Sequence, residues 1–219
     1  MTVWRSGTFY FVFLAGAIMI FGGCSKGNKE KALEYYKKGR QLYASQNLKQ
    51  AAYHFKEAAS LDHHLKQSYL MEAKCYFYLQ SSIQALEVLN QVLRQHPGYV
   101  EARFWAGKLY YFGNDYSTAE MHLLQVVQDN SSHLQARYLL GDLYLQQNMY
   151  DKALLNYQMV EKNLDMVGMA KVNIARIYTE YGLYRRALEH IAFIEKNKEF
   201  LEEKVLDQAY EVLAGMGEK

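Results

Sequence analysis

Leu134 to Val167 reads LQARYLLGDLYLQQNMYDKALLNYQMVEKNLDMV, and this stretch decides the fold. It contains two amphipathic helical patterns joined near Asn148–Tyr150. Shifted by 34 residues in either direction, the same residue types return. With Leu134 as place 1, place 8 is Gly141 and place 20 is Ala153. In the other copies place 8 holds Gly39, Ala73, Gly107 and Ala175, and place 20 holds Ala51, Ala85, Ala119 and Ala187. Alanines in strict register with no insertion between them mean an array, and a period in this range means stacked helical repeats.

Each repeat reads as helix A over places 1–14 and helix B over places 18–31. Antiparallel helices approach to about 8–10 Å only where small residues sit at the crossing. Places 8 and 20 meet that need. Larger apolar residues flank them: Phe55, Leu89, Leu123, Tyr157 and Ile191 at place 24, and Ala58, Val92, Val126, Val160 and Ile194 at place 27. One hairpin cannot bury all these alone, so stacking is expected to stabilise the fold.

Leu140, Gly141 and Tyr144, followed by Ala153 and Tyr157, resemble the tetratricopeptide repeat. The resemblance implies an all-α, right-handed α–α superhelix of five helix-turn-helix repeats. These span 32–65, 66–99, 100–133, 134–167 and 168–201, with a capping helix and tail over 202–219. Val205, Ala209 and Val212 form the cap's apolar stripe, and a terminal helix with one wet face is what such an array needs.

The first 23 residues are of another kind. Arg5 precedes an uncharged apolar run from Phe9 to Phe21, shorter than the roughly 20 residues of a membrane span and suited to a secretory signal. Gly22-Gly23-Cys24-Ser25 then resembles a bacterial lipoprotein signal. That resemblance implies cleavage before Cys24, a lipid on Cys24 and a polar tether over 24–31. Ser25, where the family's inner-membrane retention signal has aspartate, points to the outer membrane, facing the periplasm. An uncleaved anchor and an ordinary secretion signal remain the other readings.

A formal net charge of +2 argues against a dedicated nucleic-acid binder. Between Cys24 and Tyr99 stand 11 Lys or Arg against 6 Asp or Glu, so the basic end lies beside the expected anchor. Two cysteines make no disulfide framework, and Cys75 falls at the place of Leu109, Leu143 and Ile177 in later repeats. No nucleophile motif, phosphate loop or metal-ligand spacing occurs, so neither catalysis nor a cofactor or metal is expected. His54, His122 and His190 share place 23 of alternate repeats, too far apart for one metal ion.

In tetratricopeptide arrays helix A lines the concave side, chiefly through places 2, 5, 9, 12 and 13. Here that implies a partner groove of Tyr36, Tyr43, Phe77, Tyr78, Phe104, Tyr111, Phe112 and Tyr138 with the cations Arg40, Lys74, Lys108 and Arg176; Asp142 interrupts the basic column. Rings beside long cations suit a protein or peptide partner of some acidic character. The lysine and asparagine pattern by which related arrays clamp a chaperone's carboxyl terminus is absent. The expected role is a membrane-tethered protein-interaction scaffold or adaptor. The other readings are an accessory of outer-membrane protein assembly or pilus biogenesis, and a transporter-associated subunit.

Overall fold

The computed structural model describes the backbone of residues 9–160 and 167–217 and the side chains of 26–160 and 167–216. Part of the expected signal segment, the side chain of Cys24 and the end of the fourth helix B lie outside them.

Within the described residues the chain is all α-helix apart from one 3-10 turn, with no strand. It divides into two compact units, residues 1–102 and 103–219, the division falling in the first turn of α5. The first unit holds α1 (Phe9–Ala44), α2 (Leu48–Leu61), α3 (Lys66–Tyr78) and α4 (Ser82–Gln95), each packed on the next. The second begins with α5 (Val100–Phe112), α6 (Tyr116–Asp129), α7 (Leu134–Gln146) and α8 (Tyr150–Val160). It ends with α9 (Val167–Glu180), α10 (Tyr184–Lys196) and α11 (Glu203–Gly217). From α6 onward each helix packs on its successor wherever both are described, and α11 closes the row against both α9 and α10. No proline interrupts a helix; the only one, Pro97, lies in the link before α5.

The register appears in burial. Every residue at places 8, 20, 24 and 27 is buried, from Gly39, Ala51, Phe55 and Ala58 to Ala175, Ala187, Ile191 and Ile194. Full burial of each large apolar side chain stabilises by about 1.5–3 kcal/mol. The crossing differs in detail from the expected pairing of places 8 and 20: place 8 presses on place 24. A Cβ on Gly39 would come within 2.8 Å of the Phe55 ring, and one on Gly141 within 2.6 Å of the Tyr157 ring. Where place 24 is aromatic, place 8 is glycine; Ala73 and Ala175 occur opposite the smaller Leu89 and Ile191.

Helix A also stops one residue early, at place 13, and helix B starts early at place 17. Place 15 is the reason. Gln46, Gln80, Asn114, Asn148 and Gly182 all have φ between 59° and 70°, the left-handed conformation that terminates a helix. In each repeat the next N–H reaches back to the place-11 carbonyl, as from Asn47 to Leu42 and from Leu183 to Tyr178, satisfying groups the ending helix would strand.

One expectation needs correction. The tether over 24–31 is helical: it lies inside α1, with Lys26 to Lys31 exposed. Nothing in SKGNKEK breaks a helix sharply, and α1 extends through it from Ala32, where nucleation has already occurred. The cap forms as expected, with Val205, Ala209 and Val212 buried against Ala187, Ile191 and Ile194. Gly168 makes room for it, since a Cβ there would meet Leu201 at 2.9 Å and Val205 at 3.0 Å.

Candidate partner-binding face

In the first unit α1 and α3 carry the expected rings side by side. Tyr43 and Tyr78 meet edge to face at 6.3 Å, and Phe77 stands 5.3 Å from Tyr78. Tyr78 is half exposed, and burial together with its neighbour Tyr78 pushes the Tyr43 hydroxyl up to about 12. Tyr36 is drawn inward instead, its ring 5.6 Å from Phe55. Of the two cations, Arg40 is exposed, whereas Lys74 is half-buried. Desolvation pulls the Lys74 ammonium down, partly offset by Glu101.

In the second unit α5 presents Lys108, Tyr111 and Phe112. The Lys108 ammonium lies 4.6 Å from the Trp105 ring centroid and 6.0 Å from that of Phe112. Tyr111 packs against Phe112 at 5.4 Å and Tyr116 at 5.9 Å, and its hydroxyl is pushed up to about 12 by burial and by Asp142. Phe112 is 59% exposed. Phe104 departs from its expected place on the face. It is only 7% exposed, sandwiched near Trp105 and 4.7 Å from the His133 ring, because place 5 turns toward the next helix. The cations of this unit, Lys108 and Arg176, are half-buried.

Asp142, a mere interruption in the sequence pattern, is the centre of a polar cluster. Its Oδ1 accepts from the Tyr157 hydroxyl at 2.5 Å and from Asn173 Nδ2 at 3.2 Å. The same Asn173 nitrogen lies 3.1 Å from the oxygen of Tyr157 and 3.3 Å from that of Tyr138, so its two N–H groups are shared among three acceptors. Desolvation raises the Asp142 carboxyl to about 6, against the pull of the Tyr157 bond and of Arg176. Burial drives both tyrosine hydroxyls up as well. The cluster therefore holds Tyr138 inward, away from the role expected of it. A signal existed: Tyr157 puts a hydroxyl at a place otherwise occupied by Phe55, Leu89, Leu123 and Ile191, and a buried phenol needs a partner.

The histidines of place 23 are packing residues. The rings of His54 and His122 lie against Tyr35 at 5.6 Å and Tyr110 at 5.4 Å. Among the described residues no group of three or more His, Cys, Asp or Glu could hold a metal ion. Cys75 is a buried free thiol raised to about 12 by desolvation. No helix among the described residues is long and apolar enough to cross a membrane.

Helical hairpins in a 34-residue register, each turned through a left-handed residue, define a tetratricopeptide-type array. Family comparison agrees. Residues 67–99 match the tetratricopeptide repeat, and residues 84–160 match the anaphase-promoting complex, cyclosome, subunit 3 family. No curated protein sequence matches the chain. Among solved structures it is similar to MamA from Desulfovibrio magneticus RS-1, residues 41 to the end, at 18% identity and a TM-score of 0.70, over 79% of this chain and 98% of that one. A crystal structure titled MamA protein gives 20% identity and 0.67, over 78% and 93%. YrrB, described as a TPR protein with an unusual peptide-binding site, gives 20% identity and 0.61, over 88% and 91%. At these identities the likeness carries the fold alone.

Proposed function

We propose that this protein is a lipid-anchored adaptor of the bacterial envelope that holds an extended or helical segment of a partner protein against the A helices of its repeats. The observation that carries the reading is the Lys108 site. A cation rests between the rings of Trp105 and Phe112, with Tyr111 alongside and Phe112 mostly open to solvent. Aromatic anchors next to a positive charge fit a partner segment with apolar and acidic residues. The Tyr43–Tyr78 pair offers rings of the same kind in the first unit. The peptide-binding site of YrrB supports the use of this fold for segments of chain.

The test is photocrosslinking from position 112 in intact cells, with position 121 on the opposite helix of the hairpin as control. Capture of a discrete partner from 112 and not from 121 is expected; the reverse pattern moves the site elsewhere. The anchor is tested separately. Lipid on Cys24 predicts that Cys24→Ala leaves the membrane fraction or stays unprocessed, since two or more acyl chains are what make attachment stable. A processed wild-type protein without a lipid mass on residue 24 refutes the anchor but not the adaptor.

A further inference from the structure

Glu72 stands where three of its four counterparts are core, the fourth being the exposed Lys38 of the first repeat. It occupies place 7 of the second repeat, and in the three repeats that follow this place holds Ala106, Leu140 and Ile174, all with no exposed surface. Glu72 is only 5% exposed, and its carboxylate makes no hydrogen bond or ion pair among the described residues. Burying a carboxyl this way is costly. An apolar side chain would serve the packing better, as it does three times in the same chain. The carboxyl borders a cavity of about 240 Å³ between α2, α3 and α4.

The other walls share one chemistry. Gln84, Glu87 and Gln91 follow one another at three- and four-residue spacing on one side of α4, offering a second carboxylate between two amide carbonyls. Tyr76 adds a ring and a hydroxyl from α3. Lys56, from α2, is the single cation on the wall. Two carboxylates against one ammonium leave room for one more positive charge. The donor set does not suit a metal ion, for which no cluster of three ligands exists among the described residues.

We propose that this cavity is a docking site for the ammonium or guanidinium tip of a lysine or arginine side chain on a partner protein. A docked cation supplies the hydrogen bonds that Glu72 lacks. Guanidinium fits best, since its planar fork can span the Glu72 carboxylate and an amide carbonyl of α4. The site is formed by α2 and α4 around one residue of α3, and stands independently of what the aromatic face binds and of the lipid anchor.

Desolvation raises the Glu72 carboxyl to about 7, with Lys56 pulling the other way. The groups around it are Lys56 from α2, Glu87 from α4, and Tyr69, Cys75 and Tyr76 on α3 itself. The folded protein thus holds this proton more tightly than the unfolded chain. Stability from Glu72 is present at acid pH and is lost as pH rises through 7, while affinity for a cation grows over the same range.

The experiment titrates acetyl-arginine amide and acetyl-lysine amide into the full protein, following the side-chain amide resonances of Gln84 and Gln91 by NMR. Acetyl-glutamine amide and matched sodium chloride are the controls. Saturable shifts with a cationic probe, stronger at pH 8 than at pH 6 and weakened at least tenfold in Glu72→Gln, are expected. Shifts matched by the controls, or persisting in a folded Glu72→Gln protein, overturn the proposal. Thermal melts give a second reading. Glu72→Gln should gain in Tm relative to wild type as pH rises from 5 to 8. A relative loss would mean the carboxylate is satisfied inside the fold, and that also ends the idea.

Discussion

Tyr157 shows how one hydroxyl changes the meaning of a position. At place 24 Phe55 fills the same slot against Gly39 that Tyr157 fills against Gly141, so a benzyl group is already known to fit. Tyr157→Phe should therefore leave the packing intact and remove the hydroxyl's bond to Asp142 together with its contact with Asn173. A buried acceptor robbed of a donor costs about 1–3 kcal/mol, a fall in Tm of several degrees by calorimetry. The double variant Tyr157→Phe, Asp142→Asn should cost less than the sum of the singles, because the carboxylate that needed the phenol is gone. Asp142 also predicts a pH signature. Its carboxyl sits at about 6, above its ordinary value, so the native state holds the proton longer and stability falls as pH rises from about 4 to 6. Asp142→Asn should flatten that part of the profile in denaturant titrations. An unchanged slope would mean another group governs it.

At the level of the helices, place 15 and place 8 carry the testable geometry. A non-glycine residue in the left-handed region costs about 1–2 kcal/mol. Gln80→Gly should raise stability by about 1 kcal/mol, and Gly182→Ala should lower it by a similar amount, both read from urea midpoints at constant m-value. Place 8 predicts an order instead. Gly141→Ala drives a Cβ into the Tyr157 ring at 2.6 Å, while Gly107→Ala meets Leu123 Cγ at 3.0 Å, Leu123 Cδ2 at 3.1 Å and His122 Cβ at 3.2 Å, which a shift of a few tenths of an ångström relieves. The helix-propensity gain of about 1 kcal/mol is common to both, so Gly107→Ala should be near neutral and Gly141→Ala clearly destabilising. Spacing made the elements and their register legible, because small residues at fixed intervals leave an imprint in one dimension. The partner of each small residue did not show, since places 20 and 24 fit the crossing equally well on paper. The helical 24–31 segment also did not show: composition reports solvation, whereas a helix already nucleated at Ala32 can extend through a charged run.

For the molecule as a binder, the sequence located the rings and cations but not which of them stand open to solvent. Burial decides that, and it separates Phe104, packed at 7% exposed, from Phe112 at 59%. The difference makes the adaptor reading testable without confusing folding with binding. Phe104→Ala should cost about 3–5 kcal/mol of stability, as expected of a buried ring. Phe112→Ala should change stability by about 0.5 kcal/mol or less, yet cost about 2 kcal/mol of partner affinity, near thirtyfold in Kd. Lys108→Glu forfeits the contacts with Trp105 and Phe112, about 0.5–1 kcal/mol at such a site, so a slight drop in Tm should accompany it. Its larger effect should be on association: a slower on-rate and a weaker dependence on salt, since the steering charge has been reversed. Surface binding with the partner identified by crosslinking measures all three. A folded Lys108→Glu, Tyr111→Ala, Phe112→Ala protein that captures this partner with undiminished affinity would place the interface elsewhere and leave these rings as packing alone.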